Sequence, residues 1–316
     1  MNDKKYPIDL VYLWVDGNDP VWAAKKAQVT GHIVDTNPEN DAKGRYTDNN
    51  ELKYALRSAE KHAPWIRKIF IITDNQQPAW LDTNHPKITI IDHKVILPEE
   101  ALPCFNSSVI EYFLHRIPDL AEHFLFSNDD MFFNKDVSPS FFFGADGYPI
   151  VRLKKKFLGS MDQFLKKLIG KKLGQYAQMV VDSAKAVKKL TGKYYSAVPH
   201  HNIDSYRKSD YKQAVEQVFA NEVKASQVHH TRTYGDLHRS AFGYLALGTN
   251  KAHLAYVKRT DTIRILVYGH NFKERLERYN PTLFCLNDNQ KSTDENRKKI
   301  APFLKEIFPE KSSFEK

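Results

Sequence analysis

Four apolar runs in the first half of the chain stop on acidic residues. Leu10 to Val15 precedes Asp16, Ile69 to Thr73 precedes Asp74, Ile88 to Ile91 precedes Asp92, and Phe124 to Phe126 leads through Ser127 and Asn128 to Asp129 and Asp130. Between them lie stretches with helical spacing. Leu52, Ala55, Leu56 and Ala59 share one helix side, as do Val109, Ile110, Phe113 and Leu114. Strand, helix, strand alternation restricts the chain to α/β folds. The spacing predicts a mostly parallel, Rossmann-like sheet flanked by helices. Parallel strands deliver their last residues to one edge, where open α/β sheets bind ligands. Taken alone, one run ending in Asp-Gly reads more readily as a strand followed by a polar turn than as a ligand site, because Asp, Gly, Asn and Pro are turn formers. Four such endings exceed what turn composition supplies.

Three segments follow along the chain. Residues 1–150 read as the first part of an α/β core, carrying a donor and metal site. Residues 151–193 read as a basic helical insertion, and 194–316 as the second part of the core. Asp48, three residues before Glu51, resembles a capping-box start to a helix that ends near His62. The polar stretch Gln28 to Gly44 reads as a loop or lid. Phe157, Met161, Phe164, Leu165, Leu168 and Ile169 among many lysines suggest a basic amphipathic helix. Further helices are expected over about Asp210 to Asn221, Ser240 to Ala246 and Asp294 to Phe308, with strands at Ile263 to Tyr268 and Pro281 to Asp288.

The chain has 316 residues, long enough for a large core, and 41% of them are apolar. No apolar run has the length of a membrane helix and the first residues lack a signal core, which implies a cytoplasmic protein with a possible peripheral contact at the inner membrane face. Two cysteines, Cys104 and Cys285, suggest neither a disulfide framework nor a zinc site. The formal charge of +9 favours anionic partners such as a nucleotide, a phosphorylated polymer or lipid head groups.

Gathered at one sheet edge, Asp16, Asp74, Asp129, Asp130 and Asp288 would repel one another unless a cation or proton relieved them. Hard oxygen ligands suit Mg²⁺ or Mn²⁺, which often bridge a diphosphate. Asn128-Asp129-Asp130 therefore reads as a metal and diphosphate site. Arg45 and Asn49 sit near a helix start that would attract phosphate, and Arg57 reads as either a phosphate contact or a structural ion pair. His200 and His201 follow a proline in a loop and offer a base for a hydroxyl nucleophile, against the alternative of a hydrogen-bonded loop histidine. Arg239 is a candidate phosphate clamp. Glycine-rich dinucleotide and P-loop patterns are absent.

These residues carry a resemblance. Ile8 to Gly17 resembles the first conserved region of the Stealth family. Arg45-Tyr46-Thr47-Asp48-Asn49-Asn50-Glu51 through Ser58, continuing to Asn128-Asp129-Asp130-Met131-Phe132, resembles the second. Pro199-His200 to about Lys251 resembles the third, and Cys285-Leu286-Asn287-Asp288 onward the fourth. The family includes bacterial capsular polysaccharide phosphotransferases and the N-acetylglucosamine-1-phosphotransferase that tags lysosomal enzymes.

The resemblance implies transfer of a hexose 1-phosphate from a nucleotide sugar, such as UDP-GlcNAc, to an acceptor hydroxyl of an oligosaccharide or polysaccharide. It implies His200 as general base, Asp129 and Asp130 at the metal or acceptor, and Arg239 and Arg45 on the diphosphate. Asp16, Gly17, Asp48, Asn49, Arg57 and Asn128 would line the donor site, and Asn287 and Asp288 would complete the metal site with Asp130. Two other readings compete: a metal-dependent glycosyltransferase that releases UDP, and a non-enzymatic module binding anionic polymer through the 152–193 segment. Nucleic acid is not an expected partner.

Overall fold

The computed structural model describes residues 6–31, 43–155 and 173–316. Strands β1 (Ile8–Leu13), β2 (Ile69–Thr73), β3 (Ile88–Asp92), β4 (His123–Asn128) and β8 (Asp204–Arg207) form a sheet in the order β3-β2-β1-β4-β8. The first four run parallel, and β8 closes the edge antiparallel to β4. The α/β class with a parallel-rich sheet is thus observed. Side chains alternate between two cores, as the period of two requires. Leu10, Tyr12, Ile69, Ile71 and Leu125 face one, and Val11, Phe70, Ile72, Phe124 and Phe126 face the other.

Helix α2 (Glu51–His62) covers the first face with Leu52, Ala55, Leu56 and Ala59, the stripe its spacing predicted. Its start differs from the expected capping box. Asn50 sits in the left-handed region with φ 66° and makes no side-chain cap. Asp48 accepts instead from the Asn50 N–H, and Glu51 accepts from both nitrogens of Asn49. Pro20 takes the first position of helix α1 (Pro20–Thr30), and Asp19 caps it. Gln28 to Thr30 therefore belong to that helix, not to a loop. The rest of the expected lid, residues 32–42, lies outside the described residues.

Ser107 to Ile117 divides into a short helix α4 (Ser107–Tyr112), numbered after the single turn α3 (His93–Ile96), and a tighter turn. The chain leaves β4 through Asp129-Asp130 into β5 (Met131–Phe133), which was not expected. β5 joins a second sheet with β10 (Thr262–Leu266) and β11 (Leu283–Asn287). A third small sheet pairs β6 (Ile150–Lys154) with β7 (Val198–Pro199) and β9 (His253–Tyr256). Helix α5 (Gln175–Thr191) buries Met179, Val180, Ala184 and Val187. The expected amphipathic helix from Phe157 to Ile169 lies outside the described residues. Among the described residues, no helix is long and apolar enough to cross a membrane.

The helix expected over Asp210 to Asn221 is three joined pieces: α6 (Lys208–Gln213), one π turn (Ala214–Val218) and α7 (Ala220–Ser226). Helix α8 (Ser240–Gly248) and the strands β10 and β11 lie where expected. The single closing helix expected over Asp294 to Phe308 is two, α10 (Asp294–Arg297) and α11 (Ile300–Ile307), separated by Lys298-Lys299, and α9 (Phe272–Tyr279), which the sequence did not mark, precedes β11.

Candidate active site

The turn between β4 and β5 is the centre of the site. Asn128 is the last residue of β4 and pairs with Leu13 of β1, so Asp129 emerges beside the loop that carries Asp16. Met131 pairs with Cys285 across the second sheet, and Asp130 accepts the Leu286 N–H at 2.9 Å through its carbonyl. Two sheets therefore hold one two-residue turn from both ends.

Around this turn the carboxylates gather. Burial drives the Asp129 carboxyl well above its ordinary range, and Glu51, Asp130 and Asp48 push in the same direction. Glu51 rises to about 7, first by burial and further by Asp48, although hydrogen bonds from Asn49 resist. Asp48 rises to about 6, again chiefly by burial, with Asp16 adding repulsion. Asp16, Asp48, Glu51, Asp129 and Asp130 thus share one environment. Local sequence marks Glu51 only as a helix-start residue, and only the fold brings it among these carboxylates. Gly17 fits here for a steric reason. Its N–H donates to the Tyr46 carbonyl at 2.7 Å, and an added Cβ would fall 2.4 Å from that oxygen.

Asp130 has two close neighbours. Cys285 Sγ donates to its Oδ2 at 3.3 Å, and His201 Nε2 stands 3.7 Å from the same oxygen. The three residues form a group that could hold a metal ion. Oδ1 of Asp130 is buried without a hydrogen-bond partner among the described residues. The Cys285 thiol is pushed well up, first by burial and then by Asp130, so it serves as a hydrogen-bond donor. Neither Cys285 nor His201 stood among the expected metal ligands.

Opposite lies a cationic half. The loop Pro199 to Ile203 is fixed where Asn202 donates to Thr262 Oγ1 of β10 at 2.5 Å. His200 is buried, and neither ring nitrogen has a hydrogen-bond partner among the described residues. Burial, with Arg152, His201 and Arg239 nearby, lowers its pKa to about 3. Arg239 donates to Asp204 at 2.9 Å, stands 3.4 Å from Glu111, and lies over the Phe126 ring. Burial opposes its charge, yet Glu111, Tyr206 and Asp204 outweigh that and raise its pKa. Arg232 is lowered to about 10 by burial and by Arg45, which places the two guanidiniums near each other. Arg152 and Arg232 were not expected in the site, because nothing in their local spacing marks them. His201 sits at the seam, beside Asp130 on one side and acting on His200, Asp204 and His238 on the other.

Other expected residues are engaged elsewhere. Both Asp288 oxygens accept from Arg297, and the carboxyl packs against Gly44, next to Arg45. Asn287 ends β11 and its carbonyl accepts the Val267 N–H. Asp74 binds Lys25 at 2.5 Å. Arg57 is bidentate to Glu315 and also donates to the Phe308 carbonyl, so it ties helix α2 to the chain end.

Three conserved regions of one family match: Stealth protein conserved region 1 at residues 6–33, region 2 at 45–151 and region 4 at 274–316. The exopolysaccharide phosphotransferase CpsY of Mycobacterium leprae is 36% identical over 330 aligned positions, covering 100% of this chain and 58% of that protein. The capsular polysaccharide phosphotransferase cps12A of Actinobacillus pleuropneumoniae is 45% identical over 163 residues, 49% of this chain and 42% of its own length. The receptor polysaccharide phosphotransferase WefC of Streptococcus oralis is 48% identical over 144 residues, 45% of this chain and 43% of its own. The chain thus spans about half the length of these curated relatives. Among solved structures, the galactosyltransferase LgtC with donor and acceptor sugar analogues covers 96% of both chains, at 11% identity and a TM-score of 0.46. Regions 1 and 2 contain Asp16, Asp48, Glu51, Asp129 and Asp130, region 4 contains Cys285 and Asp288, and with these three regions matched the chain belongs to the Stealth family.

Proposed function

We propose that this chain transfers a sugar 1-phosphate from a nucleotide sugar to a hydroxyl of a polysaccharide acceptor, releasing a nucleoside monophosphate. The observation that carries the reading is the meeting of the acidic turn after β4 with the cationic loop after β7 through His201 and Asp130, in a chain whose relatives are named polysaccharide phosphotransferases. A UDP-hexose such as UDP-GlcNAc fits the charge pattern as donor.

Carboxylates packed this closely are tolerable only when protonated or countered by a cation. The raised pKa values and the unpaired Asp130 oxygen fit a divalent ion. Asp130, with Asp129 beside it, would hold Mg²⁺ or Mn²⁺, while Asp288, whose two oxygens accept from Arg297, would stay outside the ion's ligands. Bound there, the ion supplies charge neutralisation for the diphosphate.

The protein groups do the rest. Arg152, Arg232 and Arg45 would attract the diphosphate, and Arg239, held by Asp204 and Glu111, would clamp it. Asp16, Gly17, Asp48, Asn49 and Asn128 border the donor. The acceptor oxygen attacks the β-phosphorus, a new phosphorus–oxygen bond forms, and the bridging oxygen leaves with UMP. His200 takes the hydroxyl proton. Its imidazole is neutral in the cationic surroundings, and a diphosphate arriving beside it adds negative charge that raises its basicity.

Incubating the protein with UDP-hexoses, divalent ion and acceptor, and separating the nucleotides, tests the reading. UMP with a growing phosphodiester signal in phosphorus NMR is expected. UDP alone would point to glycosyl transfer. Salt-sensitive polymer binding without nucleotide release would point to a binding module.

A further inference from the structure

Beside the histidine loop lies a hollow of about 260 Å³ lined by Leu153, Lys155, Tyr194, Tyr195, Ala197 and Tyr256. That is smaller than the ~300–1,000 Å³ of sites that enclose drug-sized ligands. It suits a sugar ring, not a whole nucleotide sugar. Its position is fixed by the third sheet. Leu153 pairs with Tyr256 on one side and with Pro199 on the other. Neighbouring strands lie ~4.8 Å apart, so Tyr256 and Pro199 are about 10 Å apart across the sheet. His200 follows Pro199 directly.

The lining has two components. Tyr195 stacks on Tyr244 with ring centres 5.6 Å apart and planes 5° apart, which makes it a rigid wall. Tyr256 is 45% exposed and presents a ring that nothing in the core requires. Lys155 Nζ in the lining stands 4.2 Å from the Tyr256 ring centre, and outside the lining Lys188 Nζ stands 6.0 Å from that of Tyr194. Tyrosines offer flat apolar faces and hydroxyls that can meet the faces and edges of a sugar ring. The two ammonium groups offer a counter-charge to a phosphodiester. A neutral glycan would leave the lysines unused, and a simple polyanion would leave the aromatic walls unused.

We propose that this hollow is an acceptor subsite, holding one sugar of a phosphodiester-linked glycan chain while a ring further along presents its hydroxyl to His200. The inference rests on the sugar-phosphate transfer proposed above and adds where the acceptor chain docks.

The probe is a size-fractionated ladder of fragments from the source organism's own cell-surface polysaccharide. With wild-type protein, KM should fall as fragments lengthen. Tyr256→Ala and Tyr194→Ala should raise KM for long fragments about 3–10-fold and flatten the length dependence. KM for the shortest acceptor and slow donor hydrolysis to UMP should stay unchanged. Lys155→Gln should weaken the salt dependence of long-fragment binding. Fragment binding measured calorimetrically without donor reads the subsite independently of turnover. Unchanged length dependence and binding in both tyrosine variants would overturn the subsite. Absence of UMP from wild-type protein would overturn the transfer reading instead. If anionic vesicles compete with long fragments and lose affinity in the same variants, the hollow is a membrane contact and the proposal fails.

Discussion

His201 Nε2 stands 3.7 Å from Asp130 Oδ2, so the loop after β7 and the turn after β4 converge on one carboxylate. Cys285 donates to that same oxygen while Oδ1 has no hydrogen-bond partner among the described residues. Asp130→Asn keeps the shape and removes the charge. We expect UMP release to fall about 10²–10³-fold, the scale of losing one preorganised electrostatic group. The thermal midpoint should hold or rise, because repulsion on Asp129 is relieved. Turnover close to wild type would rule Asp130 out of the reaction centre.

Glu51 gives stability a particular pH dependence. Its carboxyl sits near 7 in the fold, raised from an ordinary 4.5 chiefly by burial. Below 4.5 both folded and unfolded chains hold the proton. Between 4.5 and 7 the unfolded chain releases it first, so folding stability falls as pH rises. A tenfold difference in proton affinity between the two states is worth about 1.4 kcal/mol, giving a loss of up to about 3 kcal/mol above pH 7. Glu51→Gln should remove this slope. Millimolar Mg²⁺ or Mn²⁺ should raise the wild-type melting temperature at pH 8 and do little at pH 5. Scanning fluorimetry over that range checks both, and equal ion effects at the two pH values would contradict a cation held by these carboxylates.

Arg57 is a structural residue in this geometry. Its side chain is 9% exposed and its partner Glu315 only 1%, with Nε donating to Oε1 at 2.7 Å. Burial alone would raise the Glu315 carboxyl, yet Arg57 and the Ser312 N–H bring it down to about 2. That contribution is present above about pH 4.5 and is lost as the pH falls toward 2. Removing one partner of a buried pair costs about 3–5 kcal/mol. Arg57→Ala should therefore lower the melting temperature markedly at pH 7 and leave donor KM unchanged in the surviving folded protein. A raised donor KM with unchanged stability would return Arg57 to the donor site.

The fate of Arg57 shows what a sequence can and cannot disclose. Apolar periodicity reports which face of an element is buried, so β1 to β4 and α2 were readable. It also placed Asp16 and Asp129 at one sheet edge, because parallel strands share a direction. The partner of Arg57 lies 258 positions away, and no local pattern points to it. Cys285 and Arg152 were missed for the same reason: each enters the site through a strand pairing, β5 with β11 or β6 with β7, set by tertiary packing. β6, β7 and β9 are short and mostly half-exposed, which gives no alternation to read.

Gly17 tests whether the Tyr46 segment shapes the donor side. An alanine Cβ would meet Tyr46 at 2.4 Å, on a backbone oxygen that has little room to yield. Tyr46 also packs on Trp22, so displacement would pass to helix α1. Gly17→Ala should raise donor KM several-fold while changing the affinity for acceptor fragments little. Equal rises for donor and acceptor would show instead that the whole edge had shifted.

His200 is the sharpest test of the chemistry. Both its nitrogens are buried without hydrogen-bond partners among the described residues, a costly arrangement for a purely structural imidazole. A ring with a folded pKa near 3 and an unfolded value of 6.5 destabilises the fold as pH falls between these values, because only the unfolded chain takes up the proton. His200→Ala should therefore flatten the acid side of the stability profile, whatever the cost of the cavity it leaves. The same variant should lose about 10²–10⁴-fold in UMP release while binding UDP-hexose with wild-type affinity. In the wild type, donor-bound enzyme should show an acidic limb in kcat at a higher pH than the free protein's titration, because the diphosphate offsets Arg152 and Arg239. A flattened stability profile combined with full turnover would leave His200 as a packing residue and pass the role of base to His201.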